Sequence, residues 1–314
     1  MAATMLTATP LLPQLERSFS TAAMDSPQRL LIAGCGRLGR AIIKHNAATG
    51  QRWQITALRR SATAMDGAKT YTADLADSTE LLALGQQPFD CVVYSPAPDQ
   101  RSADAYRQTY LYGLQNLLAS GALKPDGKLI FVSSTAVYGQ DDGSYVNEQS
   151  ITRPASFNGS ILLQAEQHAL HWPASKPGQR CCVRLAGLYD HLPARYLHML
   201  TQTELDAQKL QRWSNRIHLQ DAARLILLLL SQATMPTVIN GVDNEPSRLR
   251  DLVAWLAQQR DMVWPLADTA AGSISGDECG KRISNALAHS LGFVPAYPSY
   301  REGCSKQPIP ASTE

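Results

Sequence analysis

The feature that most constrains this chain is a set of three glycines that directly follows a short apolar segment. Arg29–Ala33 reads as a β-strand, and Gly34, Gly36 and Gly39 then stand at the spacing Gly-x-Gly-x-x-Gly, where a helical stretch from Arg37 to about Ala48 begins. In such a turn the first glycine permits a tight bend, the second lets the backbone approach a pyrophosphate, and the third lets the helix pack on the strand. The sequence therefore predicts a dinucleotide site at this helix N-terminus, with a purely structural glycine turn as the alternative. The residues expected to contact the dinucleotide here are Gly34, Gly36, Arg37, Leu38 and Gly39.

Strand-like and helix-like segments alternate over the first half of the chain. Strands are expected at Trp53–Leu58, Phe89–Tyr94, Lys128–Ser133 and Gln179–Leu185, and helices at Tyr106–Ser120 and Leu162–Leu170. This order predicts an α/β fold, a Rossmann-type doubly wound parallel sheet with helices on both faces. We expect a disordered N-terminal extension over residues 1–27, an NAD(P)-binding core over 28–187 and mainly a smaller substrate lobe over 188–314. Within that lobe, segment 218–240 is expected to return and pack on the core.

The end of the second predicted strand indicates which dinucleotide binds. An acidic residue there would bind the ribose hydroxyls of NAD, whereas this chain has Arg59, Arg60 and Ser61. Because two arginines can hold a 2′-phosphate, NADP is the expected cofactor and NAD the alternative. A solvated basic turn is the competing interpretation. Asp74 and Leu75 follow the next short strand, where Asp74 would either accept a hydrogen bond from the adenine amino group or belong to a helix N-terminal turn.

Composition argues against several other classes of partner. The formal net charge is +2 and the basic residues form no long run, so we expect no nucleic-acid partner. The longest apolar run, Leu225–Leu230, is far shorter than the roughly 20 residues that cross a bilayer, so no membrane partner is expected. The six cysteines form no Cys-x-x-Cys pair, which is typical of a reducing compartment and favours a cytoplasmic location. His168 and His171 lack a third ligand at a sensible spacing, so no metal site is expected.

Several further segments follow the pattern of one enzyme family. They are Thr72–Leu75, Val92–Ser95, Tyr112–Leu118, Phe131–Gly139, Val183–Tyr189 and Asn215–Ala223. With the glycine loop, these segments make the chain resemble an extended or atypical short-chain dehydrogenase/reductase of the NAD-dependent epimerase/dehydratase family. The tail segments Lys281–Leu287 and Tyr297–Tyr300 are similar to the YeeZ-like bacterial proteins of this group. The resemblance runs from about Arg29 to about Gly303.

The resemblance implies a catalytic set of Ser, Tyr and Lys, and that set is incomplete in this chain. Ser134 stands at the family's serine position, where it would orient the substrate oxygen. In the family pattern Tyr-x-x-x-Lys-x-x-x-Glu, counted back from Glu166, Asn158 replaces the tyrosine and Leu162 the lysine. Asparagine cannot move a proton near neutral pH and leucine carries no charge, so acid/base catalysis worth about 10²–10⁴-fold would be lost. The family's asparagine on the middle helix is replaced by Tyr110.

Two functions are therefore open at this stage. The first is an NAD(P)-dependent oxidoreductase or epimerase of the short-chain dehydrogenase/reductase type, with NADP preferred and an unknown small-molecule substrate. The second is a non-catalytic NADP-binding sensor or scaffold protein, which the loss of the Tyr/Lys pair favours. The resemblance also implies a homodimer that would pair through the helices over Tyr106–Ser120 and Leu162–Leu170.

Overall fold

The chain forms a seven-stranded parallel sheet flanked by helices. A computed structural model describes residues 27–190, 194–200, 206–264 and 278–305 of the chain. The strands are β1 (Gln28–Ala33), β2 (Trp53–Arg59), β3 (Lys69–Thr72), β4 (Phe89–Tyr94), β5 (Leu123–Ser134), β6 (Tyr145–Val146), β7 (Arg180–Leu185), β8 (Gly187–Tyr189), β9 (Trp213–Ser214), β10 (Arg216–His218), β11 (Val238–Gly241), β12 (Ser247–Arg248) and β13 (Arg282–Ile283). The large sheet has the order β11-β7-β5-β4-β1-β2-β3. The predicted extension over 1–27 lies outside the described residues, apart from Pro27.

Helices cover both faces of this sheet, and further helices pack together beyond it in the C-terminal part of the chain. They are α1 (Arg37–Ala48), α2 (Ser78–Leu81), α3 (Ala103–Arg107), α4 (Gly113–Ala119), α5 (Phe157–His171), α6 (Ala194–Met199), α7 (Ala207–Gln211), α8 (Leu219–Ser231), α9 (Leu249–Gln259), α10 (Ala286–Ser290) and α11 (Tyr300–Ser305). A π-helical turn, Gln108–Tyr112, separates α3 from α4, so the predicted continuous helix over Tyr106–Ser120 is wrong at this point.

Burial explains why the strands are almost continuously apolar. Leu30, Leu31 and Ile32 in β1 are fully buried, because side chains of both faces are covered by helices, as is usual for a parallel sheet. One core cluster joins one face of the sheet to α1 and α8, and a second joins the other face to α4 and α5. A third cluster packs β8 with α9 and α11. This architecture confirms the predicted Rossmann-type doubly wound α/β fold.

A buried ion pair ties α5 to the sheet. Arg184 on β7 donates from Nη2 to Oε2 of Glu166 at 2.7 Å, and the two side chains are only 6% and 2% exposed. Ser133 donates to Oε1 of Glu166 at 2.6 Å, and Arg184 also donates to Tyr138 Oη at 2.9 Å. Tyr138 in turn donates to Asn240 on β11 at 2.9 Å. The network therefore fixes three strands and one helix directly beneath the carboxyl edge of the sheet.

Removing one partner of this pair should destabilise the fold strongly. We expect Glu166→Ala to lower the free energy of unfolding by about 3–5 kcal/mol, because Arg184 would remain buried without its counter-charge. Urea denaturation followed by circular dichroism measures the difference. Asp104→Ala is the matched control, because Asp104 pairs with Arg107 on the protein surface and such pairs contribute about 0–1 kcal/mol. Equal losses in the two variants would contradict the assignment of a structural role to Glu166.

Candidate functional site

A cleft of about 990 Å³ lies at the carboxyl ends of the central strands. Ligands of open α/β sheets bind at this edge, because the loops that leave parallel strands meet there. The predicted site residues that line the cleft are Gly34, Gly36, Arg37, Leu38, Arg59, Arg60, Asp74, Leu75, Ser134 and Leu162. Gly39 and Asn158 are not among its lining residues. The folded chain thus brings most of the predicted site together in one cavity.

The three glycines of the loop have different surroundings. Gly34 has a φ of 81°, and a Cβ at this position would overlap the backbone of Pro96. At Gly39 a Cβ would overlap the Sγ of Cys35, so this glycine lets α1 pack closely beneath the cleft without lining it. At Gly36, by contrast, a Cβ would meet no heavy atom within 4 Å. Gly36 therefore leaves open space where the loop meets the cleft.

The N-terminus of α1 provides the electrostatics for an anion in that open space. No described side chain caps this helix, and its first turn contains no acidic residue. The first backbone N–H groups of an α-helix lack intrahelical partners and carry the positive end of the helix dipole. Together with the space at Gly36, these groups fit the pyrophosphate of a dinucleotide. The donors present and the room in front of them are thus those that such a cofactor needs.

Two arginines at the cleft are engaged by carboxylates. Arg60 donates from Nη1 and Nη2 to the two carboxylate oxygens of Asp99, each at 2.5 Å. Arg37 donates from Nη2 to Asp190 at 2.5 Å. Arg59 is half-buried, and its side chain forms no hydrogen bond or ion pair with the described part of the chain. Arg60 is therefore not simply solvated, while Arg59 is the arginine at the end of β2 that remains available to a ligand.

The loop after β3 holds Asp74 in a turn at the cleft wall. Oδ1 of Asp74 accepts a hydrogen bond from the backbone N–H of Ala76 at 2.9 Å, and Glu80 accepts one from the backbone N–H of Asp74 at 2.7 Å. The carbonyl of Leu75 accepts a hydrogen bond from Asn116 on α4 at 3.0 Å. Helix α2 is capped by Asp77 rather than by Asp74. Asp74 thus stabilises a local turn and also lines the cleft.

The predicted catalytic positions lie at β5 and α5, which are separated from the two arginines at the end of β2 by strands β4 and β1. Ser134, at the end of β5, accepts a hydrogen bond from the backbone N–H of Ala136 at 3.2 Å. Leu162 lines the cleft but is only 4% exposed and belongs to the core cluster that holds α4 and α5. Oδ1 of Asn158 is buried without a hydrogen-bond partner in the described part of the chain. An aliphatic side chain therefore stands where the resemblance implies the lysine.

Tyr110 is a further candidate for a catalytic residue. In the sequence it stood out only because it replaces the family's asparagine on the middle helix. It lines the cleft from the π-helical turn, and its ring packs against Tyr106 and Phe131 with centroid distances of 5.5 and 6.2 Å. Burial raises the pKa of Tyr110 to about 12. From Ala105 to Leu219, it is the only lining residue of the described chain with an ionisable side chain. Tyr110 therefore has the one phenol hydroxyl in this half of the cleft.

The π-helical turn that positions Tyr110 is fixed by a strand residue. Tyr94, which is fully buried at the end of β4, donates from Oη to the carbonyl of Thr109 at 2.5 Å. A Cβ on Gly113 would overlap that Tyr94 hydroxyl. Isolated π turns occur frequently at functional sites. The sequence pattern placed Gly113 in a continuous helix, although a glycine within a helical pattern is a weak sign of an irregularity.

Metal chemistry and membrane spans find no support in the part of the chain that the structure describes. No group of three or more His, Cys, Asp or Glu side chains is placed to hold a metal ion there. The six cysteines are buried as free thiols. Among the described helices, none combines the length and the apolar character needed to cross a bilayer.

Comparison with known proteins agrees with the fold and the glycine loop. The model of the NAD dependent epimerase/dehydratase family matches residues 30–240. Protein YeeZ of Escherichia coli K12 is 28% identical over 216 residues, which cover 65% of this chain and 73% of YeeZ. A Methylobacillus flagellatus structure, provisionally described as an NAD-dependent epimerase/dehydratase, is 30% identical with a TM-score of 0.72, covering 88% of this chain and 96% of that one.

A more distant structure shares the fold alone. The Bordetella bronchiseptica enzyme WbmG, solved in complex with NAD, is 16% identical with a TM-score of 0.67, and the match covers 88% of this chain and 91% of WbmG. The family match spans β1 to β11, and thus the whole sheet and the cleft at its edge. The chain therefore belongs to the NAD-dependent epimerase/dehydratase family.

Proposed function

We propose that the chain is an NADP-dependent oxidoreductase that reduces a carbonyl group of a small molecule. The observation that carries the proposal is that one cleft joins the glycine loop, two arginines at the end of β2, Ser134 and Tyr110. NADPH, when bound, would supply the hydride and leave as NADP⁺. The N-terminus of α1 would hold its pyrophosphate, Arg59 and Arg60 its 2′-phosphate, and Asp74 its adenine amino group.

The chain's own part in the reaction would be to orient the substrate oxygen and to protonate it. Ser134 Oγ, which accepts only one hydrogen bond from the described chain, can donate to that oxygen. Tyr110 Oη would supply the proton. Because burial raises the pKa of Tyr110 to about 12, this hydroxyl stays protonated at neutral pH and is a donor rather than a base. This favours reduction over epimerisation, since an epimerase must also withdraw a proton or hydride and return it.

The proposal is tested by turnover. Purified protein should bind NADPH and should oxidise it only when a carbonyl compound is added, in a panel of aldehydes, ketones and sugar nucleotides. A protein that binds NADPH and turns over no member of the panel would support the second candidate, a non-catalytic NADP-binding sensor or scaffold. That candidate is favoured by Leu162, an uncharged residue at the position of the family's lysine. Among the described residues from Ala105 to Leu219 that line the cleft, none has a positively charged side chain that could take part in a proton relay.

Cofactor preference provides a separate prediction. We expect Arg59→Ala combined with Arg60→Ala to weaken NADPH binding about tenfold or more, because a charge-assisted contact to a phosphate contributes about 1.5–3 kcal/mol. The affinity for NADH should barely change. Fluorescence titration measures both dissociation constants, and the loss should shrink at high salt. Equal affinities of the unmodified protein for NADH and NADPH would contradict the assignment of NADP.

A further inference from the structure

A bidentate pair joins Arg60 and Asp99 at the end of the cleft where the proposed function places the adenosine of the cofactor. Arg60 follows β2 and Asp99 follows β4, and both residues line the cavity. Both guanidinium Nη atoms of Arg60 are used, each 2.5 Å from a carboxylate oxygen. Both side chains are more than half exposed, so neither burial nor packing compels them to meet. The pair is therefore held by the attraction of opposite charges and by the match between two guanidinium N–H groups and two carboxylate oxygens.

A 2′-phosphate that bound the terminal edge of the Arg60 guanidinium would use the same donors. Phosphate and carboxylate oxygens are both matched by the paired N–H groups of a guanidinium, so the two groups compete for one edge of the fork. The Arg60 hydrogen bond lowers the pKa of Asp99, which is therefore ionised at neutral pH. A phosphate approaching Arg60 would thus be repelled by the negative charge of Asp99 and would find two N–H donors of Arg60 already occupied. Arg59 has no such competitor among the described residues.

We propose that Asp99 is a specificity-determining residue that competes with the 2′-phosphate of NADP for Arg60 and thereby limits the preference for NADP over NAD. The inference rests on the proposed NADP site and adds a role for the carboxylate that pairs with Arg60 there. Asp99 pairs with Arg60 after β2 and not with the α1 N-terminus, where the pyrophosphate shared by NAD and NADP would bind. Its removal should therefore act only on ligands that carry the 2′-phosphate.

The experiment uses two fragments that differ only in this group, adenosine 2′,5′-bisphosphate and adenosine 5′-monophosphate. Isothermal titration calorimetry on the full chain compares the unmodified protein with Asp99→Asn, Arg60→Ala and the double variant. Asp104→Asn is the matched control, because it neutralises another exposed carboxylate paired with an arginine, one that does not line the cleft. Both asparagine variants change the net charge equally, so a general field effect would appear in both.

We expect Asp99→Asn to tighten binding of the bisphosphate about two- to fivefold, as is typical of releasing an exposed ion pair, and to leave the monophosphate unchanged. The gain should vanish in the Arg60→Ala background and be absent in Asp104→Asn. Unchanged or weaker bisphosphate binding by Asp99→Asn, or the same gain without Arg60, would overturn the inference.

The two proposals can fail separately. If the unmodified protein binds the two fragments equally and Asp99→Asn creates a preference for the bisphosphate, the NADP preference of the natural chain is wrong and the role of Asp99 stands. If the unmodified protein prefers the bisphosphate and Asp99→Asn does not increase that preference, the NADP site stands and the role of Asp99 is wrong. If neither protein prefers the bisphosphate, both are wrong.

Discussion

Gly36→Asp should abolish binding of NADPH and NADH alike while leaving the fold intact. The open space at Gly36 accommodates a side chain in the free protein. The new carboxylate would occupy the place of the pyrophosphate. At about 4 Å and an effective dielectric of about 20, two like charges repel by about 4 kcal/mol, which corresponds to a loss of about a thousandfold in affinity.

Fluorescence titration with both dinucleotides measures this loss, and thermal denaturation of the free protein checks the fold. Gly36→Ala is the control of intermediate size, because it adds one methyl group to the same space without a charge. Its affinity should fall between those of the unmodified protein and Gly36→Asp. Retained NADPH binding in Gly36→Asp, with an unchanged melting temperature, would show that the glycine loop does not hold the cofactor.

Tyr110→Phe should lower kcat by about 10²–10⁴-fold without changing the dissociation constant of NADPH. The substitution keeps the ring that packs on Phe131 and Tyr106 and removes only the hydroxyl proposed as proton donor, whose contribution is that of a general acid. Steady-state oxidation of NADPH, with a carbonyl compound that the unmodified protein reduces, provides the measurement.

Tyr112→Phe is the matched control for this loss. Tyr112 ends the same π-helical turn, is 48% exposed and does not line the cleft, so its hydroxyl should be dispensable. A general effect of removing a phenol hydroxyl from the turn would lower kcat in both variants. Full activity of Tyr110→Phe would mean that the substrate takes its proton from another group or from solvent.

The features predictable from the sequence were those set by neighbouring residues. The spacing of Gly34, Gly36 and Gly39 behind an apolar strand admits few geometries, and the alternation of strands with helices admits essentially one handedness of connection. The sheet and the glycine loop follow from these local rules. The placement of Arg59, Arg60 and Ser134 at one edge follows as well, because each ends or follows a parallel strand.

The features that could not be predicted depend on contacts between distant segments. Arg60 and Asp99 are 39 residues apart, and the sequence shows their charges but not that they meet. The π-helical turn depends on the Tyr94 hydroxyl, which reaches the carbonyl of Thr109 from another element. Leu162 was interpreted as a substitution in an active site, whereas its side chain also fills the core, a double role that only packing reveals.

The strand order also bears on how the chain is made. Strand β11 completes the sheet beside β7, yet β8, α6, α7, β9, β10 and α8 all lie between these two strands in the chain. While the nascent polypeptide leaves the ribosome, β7 is an open edge with unpaired N–H and C=O groups until Gly241 has emerged. Pairing across so long a loop raises the contact order and slows folding.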